Sequence, residues 1–109
     1  MARDEGLEEL VRDQLGSLPG LREQRMFGGL AWLLDGRLLC AARDDGVLVR
    51  LGKGRDGWAL ALDGVAPMRN GDRPMTGWVR VAPEAFADDA LARRLLDAAL
   101  AFVRGLPAA

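Results

Sequence analysis

Short turns divide the middle of this 109-residue chain into segments of strand length. Asp35-Gly36 separates two apolar segments, residues 30–34 and residues 37–43. Glycine permits the positive φ of a type I′ turn and Asp tolerates it, so this pair predicts a tight hairpin. A second turn of this kind at Asp45-Gly46 leads into residues 47–51. Together with a looser alternation before them, the turns predict a meander of about four antiparallel strands.

Amphipathic helices flank the meander on both sides. Residues 4–18 carry apolar side chains at spacings of three and four, with Asp4 as the N-cap and Pro19-Gly20 as the end. A last helix begins at Asp88 and runs to about Arg104. Its apolar arc is wider than one sheet face requires, which makes it a candidate contact between two copies of the chain.

The segment between meander and last helix has weaker signals. Residues 53–63 allow a short helix, although their glycines disfavour one. Residues 64–73 have the composition of a loop, since they contain Pro67 and Asn70-Gly71, and residues 77–81 predict one more strand.

The predicted order of elements is therefore α-β-β-β-β-α-β-α. It predicts a single domain over residues 1–109 of the α+β class, with two layers. A mostly antiparallel sheet of about five strands has its helices packed on one face, and its other face is open or used for binding.

The supply of reactive side chains excludes several chemistries. The chain has no His, no Tyr and one Cys, so a Ser-His-Asp triad, a Cys-His pair and a structural zinc site are excluded. Most acidic residues occupy turns or helix starts, and Cys40 lies between apolar residues, which predicts a buried, inert thiol. We expect no enzyme, no cofactor and no metal. No signal peptide or membrane segment is indicated either, and we expect a cytoplasmic protein.

Charge is unevenly distributed although the net charge is only -1. Residues 21–81 carry an excess of basic residues, and Arg37 and Arg43 have the same strand parity. If they face one side of the sheet, five arginines are candidates for contacting nucleic acid or an acidic partner: Arg25, Arg37, Arg43, Arg50 and Arg80. So small an excess implies few phosphate contacts, and a solvated face of mixed sign is the simpler interpretation.

Two motifs carry a family resemblance. The first is Met26-Phe27-Gly28-Gly29, and the second is Arg73-Pro74-Met75-Thr76-Gly77-Trp78. With the capped first helix and the Asp35-Gly36 hairpin, their order over the whole chain resembles the TfoX/Sxy N-terminal domain family, as a stand-alone single-domain member.

The resemblance implies a competence-regulator-like domain. Longer members look like regulators that act at promoters with the cyclic-AMP receptor protein, and they carry a second helical domain. The family is not associated with a catalytic site, and its N-terminal domain resembles secretion-chaperone-like folds, among which dimers and partner binding are common. The resemblance thus implies a cytoplasmic regulatory or adaptor domain that contacts a protein partner and forms a homodimer.

The large motif residues have two interpretations. Met26, Phe27, Met75 and Trp78 are most simply core residues between sheet and helices, with Gly28-Gly29 supplying backbone angles that other residues disfavour. Alternatively, they line a groove for a partner helix or a small apolar ligand. A nucleic-acid-binding module and a small-ligand-binding domain remain the alternative functions.

Overall fold

The computed structural model describes residues 4–107. The predicted domain of residues 1–109 includes three residues before this range and Ala108-Ala109 after it, which lie outside the described residues. The helices are α1 (Glu5–Leu15), α2 (Gly57–Leu60), α3 (Pro83–Phe86) and α4 (Asp89–Arg104). The strands are β1 (Leu21–Met26), β2 (Gly29–Leu34), β3 (Arg37–Arg43), β4 (Gly46–Arg50), β5 (Val65–Asn70) and β6 (Arg73–Val81).

The strands form one antiparallel sheet in the order β1-β2-β3-β4-β6-β5, and the helices pack on one face of it. Val47 and Val49 of β4 and Val79 of β6 lie in the same core cluster as Val11 of α1 and Leu95 of α4. The predicted two-layer α+β class is therefore confirmed, with six strands in place of about five.

The additional strand is β5, which replaces the loop predicted for residues 64–73. Asn70 pairs with Arg73, so β5 and β6 form a hairpin across Gly71-Asp72. Pro67 cannot donate to a ladder, but β5 is an edge strand, where a missing donor is tolerated, and the register shifts beside it. Sequence composition cannot distinguish such an edge strand from a loop.

The structure confirms the first predicted turn and shifts the second by one residue. Asp35 and Gly36 have φ of 52° and 81°, which confirms the type I′ turn. The second loop consists of Asp44-Asp45, because Gly46 already pairs with Arg43. Glycine is required there for close approach, since a Cβ on Gly46 would lie 2.2 Å from the carbonyl oxygen of the β6 residue Val81.

Local signals locate the two long helices well. Asp4 accepts a hydrogen bond from Leu7 N at 3.1 Å, and Asp88 accepts one from Leu91 N at 3.1 Å, as expected for N-caps. α1 ends before Gly16, which has φ of 61° and precedes the predicted stop at Pro19-Gly20.

The wide apolar arc of α4 is used within the chain. Ala92, Leu95, Leu96, Ala99 and Val103 are buried. The helix contacts β3, β4, α1 and α3, so its arc covers the sheet and two neighbouring helices at once. In the described part of the chain, no helix is long and apolar enough to cross a membrane.

Candidate functional site

The face of the sheet opposite the helices carries its own apolar cluster, which we call the open-face cluster. Its buried members are Ala31, Ala41, Leu48, Met68 and Trp78, and its half-buried members are Met26, Phe27, Leu38 and Met75. The four large motif residues all belong to this cluster, and none of its members comes from a helix. Their predicted position between sheet and helices is therefore wrong, although Trp78 is only 8% exposed.

The first motif forms the hairpin tip between β1 and β2. Met26 pairs with Gly29, and the loop residues Phe27 and Gly28 have φ of 58° and 73°. The Phe27 ring lies 6.0 Å from the Trp78 ring at 60°, an edge-to-face contact. A bulky side chain in this left-handed region costs about 1–2 kcal/mol, so the tip holds Phe27 over Trp78 against a backbone penalty.

The second motif depends on an irregularity at Gly77. Met75 and Trp78 are three residues apart, so strict alternation along β6 would put them on opposite faces. Gly77 has φ of 87°, and its carbonyl oxygen accepts from Leu51 N at 2.8 Å and Gly52 N at 3.0 Å. This bulge brings both apolar side chains to the open face.

Two other motif residues, Gly29 and Pro74, lie in regular strand pairs. A Cβ on Gly29 would lie 2.0 Å from the carbonyl oxygen of Ala42, so glycine lets β2 approach β3. Pro74 is exposed and pairs with Arg69 near the outer end of the β5–β6 hairpin.

A cleft of about 460 Å³ opens beside the open-face cluster. Its lining residues come from the β2–β3 turn, β3, β4, β6 and the segment after α4: Gly36, Arg37, Leu38, Arg50, Met75, Trp78, Leu106 and Pro107. Both arginines are held by backbone carbonyls. Arg50 donates from Nη1 to Leu38 O at 3.2 Å, and Arg37 donates from Nε to Pro107 O at 2.7 Å.

The five candidate arginines do not form one basic face. Arg25 and Arg37 pair with Leu30 and Leu34, whose side chains belong to the helix-side core. Arg50 pairs with Trp78, on the opposite face. Arg25 therefore lies with the helix layer, and Arg37 reaches the cleft only at the end of β3.

Two further arginines are engaged by the loop between β3 and β4. Arg43 binds the Asp45 carboxylate through Nε at 2.9 Å and Nη2 at 2.7 Å, and Arg80 donates to Asp45 O at 3.1 Å. The expected shared parity of Arg37 and Arg43 is wrong because Leu39 is bulged between Leu38 and Cys40 in the β2–β3 pairing.

A polar cluster on the other side of the sheet ties α1 to β1. The Arg12 guanidinium contacts the Glu23 carboxylate at 2.7 Å and Glu9 at 2.6 Å, and Trp32 Nε1 donates to Glu23 at 3.2 Å. The hydrogen bonds from Arg12 lower the pKa of Glu23, with a smaller contribution from Trp32. These contacts are structural and lie away from the cleft.

Cys40 is fully buried in the helix-side core, as the prediction of an inert thiol requires. Burial raises the pKa of this thiol well above its ordinary range, which disfavours the reactive thiolate.

Sequence reasoning missed one member of the open-face cluster and two residues of the cleft. Met68 is 2% exposed in the open-face cluster, but it lies in the segment interpreted as a loop. Leu106 and Pro107 follow the last helix and line the cleft by tertiary contact. The absence of polar side chains from Val65 to Met68 was the available signal, but Pro67 and the register shift beside it obscure the strand.

Comparison with known proteins gives one match. The family model for the TfoX N-terminal domain matches residues 13–103. No curated protein and no solved structure matches the chain.

Proposed function

The chain belongs to the TfoX N-terminal domain family, and from this premise we propose that it acts as a non-enzymatic regulatory adaptor. The domain is competence-regulator-like by its family. In this proposal it works by protein–protein contact, and the open-face cluster is the contact surface. A cytoplasmic location belongs to the proposal, since one buried cysteine and a regulatory role suit a reducing compartment.

The observation that carries the proposal is the position of the four large motif residues. Met26, Phe27, Met75 and Trp78 lie together on the sheet face that no described helix covers. Methionine adapts to irregular partner surfaces, and aromatic residues supply much of the binding energy of protein interfaces. Met26, Phe27 and Met75 are half-buried rather than fully enclosed, which suits a surface that closes on a partner.

The proposal of a non-enzymatic role rests on the side-chain supply. Without His, general acid–base chemistry near neutral pH would depend on carboxylates with raised pKa values or on Lys53. Among the residues that the structure describes, no acid lines the cleft beside the open-face cluster, and the charged lining residues are Arg37 and Arg50.

Binding to the cyclic-AMP receptor protein tests the proposed contact, because longer members of the family resemble regulators that act with it. Biolayer interferometry would compare the wild type with Met75→Asp, which places a charge among the apolar residues of the open face. We expect affinity to fall by about tenfold or more, equivalent to about 1.4 kcal/mol.

The matched control is Ala90→Asp, because Ala90 is exposed in the first turn of α4 on the helix layer. This variant keeps the added charge but leaves the open face unchanged, and we expect wild-type affinity. Equal loss of affinity in both variants, or in neither, would contradict the proposed surface.

A homodimer remains part of the proposal, and it would use the same open-face cluster because α4 is already covered within the chain, so self-association and partner binding would compete. Sedimentation at tens of micromolar would show a dimer that Met75→Asp dissociates. A monomer at that concentration would contradict it.

Nucleic-acid binding is the less favoured alternative, since the candidate arginines are divided between two faces and two of them contact Asp45. It predicts a salt-dependent anisotropy change with labelled DNA at about 50 mM salt.

A further inference from the structure

The cleft beside the open-face cluster combines apolar walls with two cations. Leu38, Met75 and Trp78 supply apolar surface, and Arg37 and Arg50 supply the charge. Its volume of about 460 Å³ lies in the range of about 300–1,000 Å³ that small-molecule sites occupy. A ligand that matches this lining needs an apolar body and an anionic group.

Both guanidinium groups are positioned without a carboxylate partner among residues 4–107. Arg50 is fixed by the Leu38 carbonyl and lies 5.6 Å from the centre of the Phe102 ring, and Arg37 is fixed by the Pro107 carbonyl. Within residues 4–107, the ion pairs involve Arg12 and Arg43 and neither cleft arginine. Carbonyl oxygens orient a guanidinium but leave its positive charge and several of its N–H donors for a ligand.

We propose that this cleft binds a small amphipathic carboxylate. Its carboxylate accepts hydrogen bonds from Arg37 and Arg50, since a planar guanidinium matches a carboxylate with paired N–H donors. Its apolar part packs against Leu38, Met75 and Trp78. This ligand site does not depend on the proposed adaptor function, although it shares Leu38, Met75 and Trp78 with the proposed contact surface.

Titration of the ¹⁵N-labelled full chain with sodium octanoate tests the proposal. The readout is the change in the amide and indole chemical shifts. We expect saturable shifts at Met75, Trp78 and Leu38. Octanamide has the same chain without the charge, and octylammonium has the opposite charge. We expect octanamide to bind about tenfold or more weakly and octylammonium to give no saturable shifts at the cleft.

A pair of arginine variants assigns the carboxylate contact. Arg50→Gln removes a cleft cation, whereas Arg43→Gln removes one from the same sheet that is paired with Asp45 and does not line the cleft. We expect octanoate affinity to fall about tenfold in Arg50→Gln and to remain unchanged in Arg43→Gln. Arg37→Gln provides a second cleft variant, and far-UV circular dichroism checks that each variant folds.

Three results would overturn the proposal. The first is the absence of saturable shifts with octanoate in the wild-type protein, which requires no variant to fold. The second is equal affinity for octanoate and octanamide, which would indicate apolar binding alone. The third is saturable shifts located away from the cleft.

Discussion

Phe27 combines an unfavourable backbone conformation with a favourable ring contact, and two truncations separate these contributions. Phe27→Ala removes a half-buried ring, which contributes about 1 kcal/mol by burial and about 1 kcal/mol through its contact with Trp78. We therefore expect this variant to lose about 2 kcal/mol of unfolding free energy.

Phe27→Gly loses the same ring but also removes the Cβ from a residue with φ of 58°. Glycine adopts this left-handed conformation without the penalty of about 1–2 kcal/mol that a residue with a Cβ incurs. Its greater freedom in the unfolded chain lowers the unfolding free energy by about 0.5–1 kcal/mol and so offsets part of this gain. The glycine variant should thus be more stable than the alanine variant by about 0.5–1 kcal/mol. That order is opposite to the usual effect of glycine.

Urea unfolding followed by tryptophan fluorescence and far-UV circular dichroism measures the difference, and the m-value should stay constant. Phe102 is the matched control because it is also half-buried but lies in α4. There the glycine variant should be less stable than the alanine variant by about 1 kcal/mol. If Phe27→Ala equals or exceeds Phe27→Gly in stability, strain at the hairpin tip is refuted.

Three further predictions concern the stability and packing of the fold. The pKa of Glu23 is lower in the folded protein than its ordinary value of 4.5. Its carboxylate therefore stabilises the fold at any pH above 4.5, and this stabilisation is lost as the pH falls through the pKa of the folded state. The stability difference between wild type and Glu23→Gln should therefore shrink between pH 7 and pH 3 in urea unfolding, and a constant difference would contradict it. Gly29→Ala should lower the unfolding free energy by more than about 2 kcal/mol, because the new Cβ would overlap the Ala42 carbonyl. Gly57→Ala is the control, since a Cβ at this position meets open space, and it should change the unfolding free energy by less than about 1 kcal/mol. Thermal melts measure both variants. Cys40 is buried, so in native buffer it should react with a thiol reagent only as fast as the protein opens. If it reacts in native buffer as fast as in the urea-unfolded chain, the thiol is accessible and the prediction is wrong.

Several elements were predictable because their causes are local. A type I′ turn at Asp35-Gly36 depends on the φ preferences of two adjacent residues, and the structure has those angles. The starts of α1 and α4 depend on Asp4 and Asp88, whose carboxylates accept from amides three residues on. The two motifs, together with the order of the helices and the Asp35-Gly36 hairpin around them, also carried the family resemblance, which the match over residues 13–103 confirms.

Other features depend on the position of a segment in the whole sheet. Pro67 disfavours a strand, and only the edge position of β5 makes one possible there. Likewise, alternation predicts that Arg37 and Arg43 share a face, but the bulge at Leu39 separates them. A single extra residue in one strand inverts the parity of everything beyond it, and composition does not reveal it.

The sequence alone therefore determined the class of the fold, its family and the residues of its two motifs, because these follow from short-range preferences and residue order. Only the tertiary structure decided which face of the sheet the motif residues occupy. Alternation assigns side chains to two faces but does not say which face the helices cover. That choice depends on how α1 and α4 pack across β3 and β4. It leaves four motif residues on the open face instead of beneath the helices: Met26, Phe27, Met75 and Trp78.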